Sequence, residues 1–229
     1  MDKRGALYVY WGGSKQERYL DRSVQSLFEH HPELPVQIEK LADGATLLDK
    51  ARMFELSRFE ETLFLDIDTV VLGNLTFAFE KAMRHGIACA INECPWARRC
   101  TGLSADGDIV EYNTGVLFFT RAAEAVFAAW RRYAAVVDSS IRHISQGRVG
   151  VDPAGDQASF AKAVDQTGFP LFALPLNWNF RPRWQLSYFG PIRIWHDYAE
   201  VPSEILSGNA LHEREGAVIQ YYSRSLDPG

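Results

Sequence analysis

Two aspartates two residues apart, Asp66 and Asp68, follow directly on the run Thr62-Leu63-Phe64-Leu65. That run is short and apolar and reads as a buried strand whose end carries both carboxylates. Paired charge at the end of a buried strand is costly without a partner. Carboxylate oxygens suit a hard divalent cation, and a cation so held can bind a diphosphate. Other side chains able to do chemistry lie further away, and each also has a plainer structural reading. His196 follows the apolar segment Ile192 to Trp195 and is either a ligand or a hydrogen-bonded structural residue. Asp156 and Gln157 open a helix, where the helix dipole alone stabilises an acid. Asn113 precedes a strand beginning at Gly115, placed to bond a ligand or to close a turn. Lys50 and Arg52 sit on a basic helix, facing either a ligand or solvent. Tyr10 and Trp11 end a strand before Gly12 and Gly13, as a stacking surface beside an approachable backbone or as core aromatics before a turn.

The elements that must position these residues alternate. Ala6 to Tyr10 predicts a strand, Glu17 to His30 a helix, Val36 to Leu41 a strand, and Thr46 caps a helix bearing Leu47, Ala51, Phe54 and Leu56. Beyond the aspartates, Phe77 to His85 predicts a helix, Ile87 to Ile91 and Gly115 to Phe119 strands, and Ala122 to Val137 a long helix. A helix at Asp156 to Val164 follows the polar stretch Ile141 to Gly155. Short strands are expected at Leu171 to Leu174, Ile192 to Trp195 and Ala217 to Tyr221. Such alternation predicts an α/β fold with a mostly parallel central sheet and helices on both faces, binding its ligand beyond the carboxyl ends of the strands. No linker, repeat or low-complexity tract divides the chain, so residues 1–229 are expected to form one domain.

Composition narrows the classes. With 24 Lys and Arg against 29 Asp and Glu, the net charge of -5 argues against a broad grip on nucleic acid. No apolar stretch is long enough to span a bilayer, and the opening residues do not lead into a secretory signal. The expected location is cytoplasmic. Three cysteines, Cys89, Cys94 and Cys100, make a poor disulfide framework, and with His85 they lack the short paired spacing of structural zinc. Cys89 alternates with Ile87 and Ile91 and is expected to be buried.

Leu63 to Val70 resembles the opening motif of haloacid dehalogenase-type phosphohydrolases, which would make Asp66 a nucleophile. About sixty residues of strand and helix precede it, however, and Gly155-Asp156 lacks the second closing acid. A wider resemblance, from Leu7 to about Pro202, is to GT-A glycosyltransferases. It points most to the retaining family 8 enzymes, relatives of glycogenin and of lipopolysaccharide galactosyltransferases. It is carried in order by Tyr8 to Trp11, by Tyr19, Ser23, Ser26 and Leu27, by Lys50-Ala51-Arg52-Met53, and by Asp66 and Asp68 followed by Gly73-Asn74-Leu75. Tyr112 to Leu117, Asp156-Gln157, Leu176 to Asn179 and Ile194-Trp195-His196 complete it.

That resemblance implies a GT-A, Rossmann-like fold and transfer of a sugar from a nucleoside diphosphate, with UDP the expected nucleotide. It implies Mn2+ or Mg2+ held by Asp66, Asp68 and His196, with Asp66 also contacting the donor. Tyr10, Trp11, Lys50, Arg52 and Asn113 would bind the donor, and Asp156 and Gln157 would line the sugar pocket. With retention Gln157 lies beneath the anomeric carbon, whereas with inversion Asp156 is the candidate base. The acceptor, whether glycan, lipid-linked sugar or protein, is left open. A catalytically degenerate binder of nucleotide sugars is the other alternative, because Asp197-Tyr198-Ala199-Glu200 stand where the family has an aromatic, a Gly and a Lys. Arg181 or Arg183 is the candidate replacement for that lysine, and with Trp178, Phe180, Trp184 and Tyr188 they offer a surface for sugar rings or an anionic acceptor.

Overall fold

The computed structural model describes residues 2–92, 109–137, 140–145, 147–152, 155–185 and 187–222. Its first half runs β1 (Asp2–Tyr10), α1 (Ser14–His30), β2 (Val36–Lys40), a 3-10 turn (Leu47–Arg52), α2 (Met53–Leu56), β3 (Phe59–Leu65), β4 (Thr69–Val71), α3 (Thr76–His85) and β5 (Ile87–Ile91). There follow β6 (Tyr112–Thr120), α4 (Glu124–Ala134), the hairpin β7 (Ile141–Ser145) and β8 (Arg148–Asp152), α5 (Asp156–Thr167), β9 (Phe172–Leu174), β10 (Ser187–Phe189), β11 (Ile194–His196), α6 (Ser203–Glu215) and β12 (Gln220–Tyr222). Among the described residues no helix is long and apolar enough to cross a membrane.

Six strands form the central sheet in the order β2-β1-β3-β6-β5-β9. All run the same way except β6, which is antiparallel to both β3 and β5. The expected mostly parallel α/β sheet is therefore the one observed. The two-residue period of a strand sorts its side chains onto opposite faces. Ala6, Tyr8, Leu63, Leu65 and Phe118 pack with Leu20 and Leu27 of α1 and Ala78 and Phe79 of α3. Leu7, Val9, Phe64, Leu117 and Phe119 pack instead with Phe127 and Trp130 of α4 and Phe160 of α5. Trp130 also pins the start of α5, its indole N–H donating to Ser159 Oγ at 3.0 Å.

Several elements depart from the sequence reading. Ile192 to Trp195 does not form a strand of the central sheet with His196 beyond it. The strand is β11, which includes His196 and pairs antiparallel with the unanticipated β4, so that His196 lies opposite Thr69. Three-residue strands leave almost no periodicity to read, and only this mutual pairing defines them. The chain segment expected to be a strand at Ala217 pairs later, as β12 with β10. Helix α6 was not anticipated, because only Ile205 and Asn209 of it are buried and an apolar stripe is nearly absent. Ile141 to Gly155, expected as a loop or hairpin, contains the β7–β8 hairpin. Cys89 is a free, fully buried residue of β5, and burial pushes its thiol above the ordinary range. Cys94 and Cys100 lie outside the described residues.

A buried relay of hydroxyls ties the sheet to the turn after β3. Tyr8 Oη lies 3.1 Å from Ser23 Oγ, which lies 2.8 Å from Thr69 Oγ1, and Thr69 donates to the Asp66 carbonyl at 2.7 Å. Thr69 has one hydroxyl hydrogen and spends it on Asp66, so Ser23 must donate to Thr69 and Tyr8 to Ser23. Burial holds the Tyr8 phenol well above its ordinary pKa, consistent with its place as first donor. Ser23→Ala should cost about 1–3 kcal/mol by stranding the Tyr8 hydroxyl. Adding Tyr8→Phe should cost little more, and urea unfolding of the single and double variants checks this. A double variant that loses the sum of both single effects would disprove the relay.

Candidate active site

The turn after β3 is held closed from both sides, with the Asp66 N–H donating to the Gly115 carbonyl at 2.8 Å and the Thr69 N–H returning to the Asp66 carbonyl. This directs both aspartates to the carboxyl edge of the sheet. His196 reaches the same place from β11. Its Nε2 lies 3.2 Å from Asp68 Oδ1 and 3.8 Å from Asp66 Oδ2, and one ligand atom from each of the three residues falls within 4.8 Å of the others. The other ring nitrogen, Nδ1, lies 2.7 Å from Asn179 Oδ1. An amide oxygen only accepts, so Nδ1 carries the hydrogen and Nε2 faces the carboxylates. Two oxygens and one nitrogen, with the imidazole oriented from behind, suit a divalent first-row metal or magnesium.

Lys50 is the charge that stabilises this cluster from beneath. The Asp49 carboxylate accepts the Thr46 N–H at 2.9 Å, opening the 3-10 turn that carries Lys50 into the interior. The lysine is 3% exposed. Its Nζ lies 2.9 Å from Asp66 Oδ2 and 3.2 Å from Asp156 Oδ2. Burial alone would lower its pKa, but Asp156 and Asp66 outweigh burial and hold it above the ordinary lysine value. Asp156, the first residue of α5, also accepts from Thr114 Oγ1 at 2.5 Å. Burial raises the Asp66 carboxyl, with Lys50 opposing and Asp68 adding to the rise. At Asp68 burial acts in the same sense, but His196 outweighs it and holds the carboxyl below its ordinary value.

Two cavities meet over the aspartates. One, of about 260 Å3, is walled by Tyr10, Trp11, Gln16 and Ile67. The other, of about 230 Å3, is walled by Asn113, Gly115, Asp156, Gln157, Arg181 and Trp184, among others. Lys50, Asp66, Asp68 and Tyr198 line both. The structure thus brings together nine of the expected residues: Tyr10, Trp11, Lys50, Asp66, Asp68, Asn113, Asp156, Gln157 and His196. Arg52 is exposed and lines neither cavity. Asn113 is buried and its side-chain oxygen accepts the Gly115 N–H at 3.0 Å, the turn-closing role, while it also lines the second cavity. The Gln157 side-chain amide oxygen, Oε1, is buried without a hydrogen-bond partner among the described residues. Such an atom calls for a ligand or water.

Four contributors were not assigned a role from sequence. Asn179 orients His196, Thr114 holds Asp156, and Tyr198 spans both cavities. The fourth is Gly115, where an added Cβ would overlap His196 Cε1 and sit 2.7 Å from Asp66 Oδ2. A glycine inside an otherwise strongly strand-forming run marks such close approach, and that feature was available in the sequence.

An acidic pair and a histidine lie at the carboxyl edge of a mostly parallel sheet, between an aromatic cavity and a polar one, the place where ligands bind in such sheets. Neither a protein-family model nor a curated protein sequence matches the chain. The fold, however, is shared with solved glycosyltransferases of the GT-A type. Galactosyltransferase LgtC, solved in complex with donor and acceptor sugar analogs, aligns with a TM-score of 0.53 and 13% identity, over 85% of this chain and 87% of its own. Mouse xyloside xylosyltransferase 1 aligns with a TM-score of 0.55 and 13% identity, over 88% of this chain and 100% of its own. GlyE of Streptococcus pneumoniae TIGR4 aligns with a TM-score of 0.54 and 14% identity, over 87% of this chain. The chain spans about half of GlyE, 55% of its length.

Two outcomes test this geometry. Gly115→Ala should displace the His196 ring and the Asp66 carboxylate, lowering Mn2+ affinity by about tenfold or more, the scale of a disturbed supporting shell. Calorimetric titration of the variant reads it, and unchanged affinity would show that the close packing is not part of a metal site. The second concerns pH. Burial lowers the His196 pKa, but Asp68 and Asp66 outweigh it and raise the ring above its ordinary 6.5. In the metal-free protein this contribution to stability is fully present below 6.5 and is lost as pH rises through the raised folded value. Metal requires the neutral ring, so Mn2+ affinity should rise over that same window, above 6.5. His196→Ala should flatten both profiles, read by unfolding and by calorimetry across pH.

Proposed function

We propose that the chain is a metal-dependent glycosyltransferase that moves a sugar from a nucleoside diphosphate, with UDP the expected nucleotide, to an acceptor, with retention of configuration. One observation carries this reading: two cavities of different character join over Asp66, Asp68 and His196. The aromatic cavity suits the base, with Tyr10 and Trp11 as stacking surfaces. The polar cavity then receives the sugar beside Asp156 and Gln157. Mn2+ or Mg2+ held by Asp66, Asp68 and His196 supplies stabilisation of the charge that develops on the departing diphosphate. The chain's own residues supply the rest. Lys50 opposes the burial-driven rise of the Asp66 carboxyl and fixes its direction, and Asn179 keeps the His196 lone pair turned toward the site.

Retention is supported by how Asp156 is bound. Inversion needs a free general base on the far side of the sugar, but the Asp156 carboxylate is already engaged by Lys50 and Thr114. Gln157, next along the helix, offers a neutral carbonyl oxygen instead, suited to lie beneath the anomeric carbon and stabilise positive charge there. The phosphohydrolase reading is not favoured, because the fold is that of glycosyltransferases.

The deciding experiment incubates the protein with UDP- and GDP-sugars and Mn2+ and measures release of nucleoside diphosphate. The parent is expected to release UDP. Asp68→Ala should lower the rate by about 100-fold or more, because it removes a direct ligand to the charge-stabilising ion. Its unfolding midpoint should stay close to that of the parent. Binding of nucleotide sugar without release would instead identify a degenerate binder, and hydrolysis of phosphomonoesters alone would identify a phosphohydrolase.

A further inference from the structure

The polar cavity is lined by both acidic and basic side chains. Asp66, Asp68 and Asp156 are engaged by Lys50 and His196. Arg181, Arg183 and Trp184 line the remainder of it. Trp184 is 42% exposed although it is a large apolar side chain, and the Arg181 guanidinium lies 5.9 Å from its ring centroid. Arg183 has a side chain 74% exposed and meets Asp197 Oδ2 through Nε at 3.3 Å. That ion pair steadies the arginine, which stays mostly solvent-exposed.

These groups differ in kind from those expected to hold the donor. The base has an aromatic cavity of its own, the diphosphate lies with the ion at the junction, and Asp156 and Gln157 take the transferred sugar. A flat aromatic face among the remaining lining residues is a platform for a second sugar ring. Arg183 beside that platform offers a charge-assisted contact to a carboxylate or phosphate, which a neutral sugar does not take up, while Arg181, whose Nη1 donates to Asn92 Oδ1 at 3.3 Å, flanks the ring.

We propose that Arg183, Trp184 and Arg181 form an acceptor subsite selective for a sugar carrying an anionic group, either a carboxylate or a phosphate. This rests on the transferase reading only for the word acceptor, since the subsite binds its ligand whether or not transfer follows. The acceptor's free hydroxyl would then face the donor sugar across the cavity.

The test titrates the full chain, with UDP and Mn2+ already saturating, against three probes: methyl glucuronide, glucose 6-phosphate and methyl glucoside. Saturation-transfer NMR and calorimetry read the binding. At least one charged probe should bind about tenfold more tightly than the neutral glucoside, the scale of one charge-assisted contact. Which charged probe prevails distinguishes carboxylate from phosphate. Arg183→Gln should remove most of that advantage, Arg183→Lys should restore part of it, and raised salt should shrink it. Trp184→Ala should weaken charged and neutral probes alike. Equal binding of all three probes, no binding by any, or an advantage that survives Arg183→Gln overturns the proposal. So does competition between UDP and the charged probe, which would assign the arginines to the diphosphate. Failure of the transferase reading looks different: a charged-probe preference with no turnover of any nucleotide sugar leaves the subsite standing and removes only its role.

Discussion

The buried ion pairs of Lys50 are the constraint on which the site depends. Asp66, Asp68 and Asp156 converge at one edge of the sheet, and three carboxylates so close would repel and desolvate one another. Lys50 binds two of them at once, from a position walled below by the Phe64 ring, 5.6 Å from its Nζ. Buried ion pairs of this kind add little net stability over apolar packing, because desolvation of each charge offsets the attraction. Their worth here is directional. Asp66 is held by Lys50 on one oxygen and by the closed turn through its backbone, so the carboxylate is oriented before any ligand arrives.

The same logic of support from behind recurs at each functional side chain. Asn179 fixes the His196 ring, Thr114 and Lys50 fix Asp156, and Asp197 steadies Arg183. These supports come from separate elements, and the sheet is what makes them coincide. The antiparallel β6 runs into the site at its amino end, so Asn113, Thr114 and Gly115 sit beside the carboxyl end of β3. A parallel strand in that place would have carried its amino end to the opposite edge of the sheet. The reversal of one strand therefore supplies the close approach that Gly115 permits.

Much of this was legible in the sequence, and the remainder was not for identifiable reasons. The aspartates declared themselves because a strongly apolar strand ending in paired charge has few explanations. The sheet was readable because β1, β3, β5 and β6 are apolar runs of ordinary strand length. Lys50 was read as facing a ligand or solvent; it lines both cavities, and its added part as an internal counter-ion was illegible, because its partner Asp156 lies far along the chain and local pattern carries no trace of it. Strands β4 and β11 were illegible for the same reason, since each is defined by the other. Arg52, two residues from Lys50, shows how finely the 3-10 turn sorts a basic pair, burying one member and exposing the other.

Charge placement finally separates the residues lining the polar cavity by what each can tolerate. The carboxylates have counter-charges of their own in Lys50 and His196, so added negative charge there meets cations already engaged. Arg183, by contrast, is mostly solvated beside its Asp197 partner, and solvation lets a guanidinium exchange water for an incoming anion at small cost. A site built this way holds its reacting groups rigidly and keeps an exchangeable charge as well. Rigidity there follows from burial, and exchangeability from exposure. The two properties are thus physical consequences of where the 3-10 turn and the Arg181 to Trp184 segment sit relative to the sheet edge.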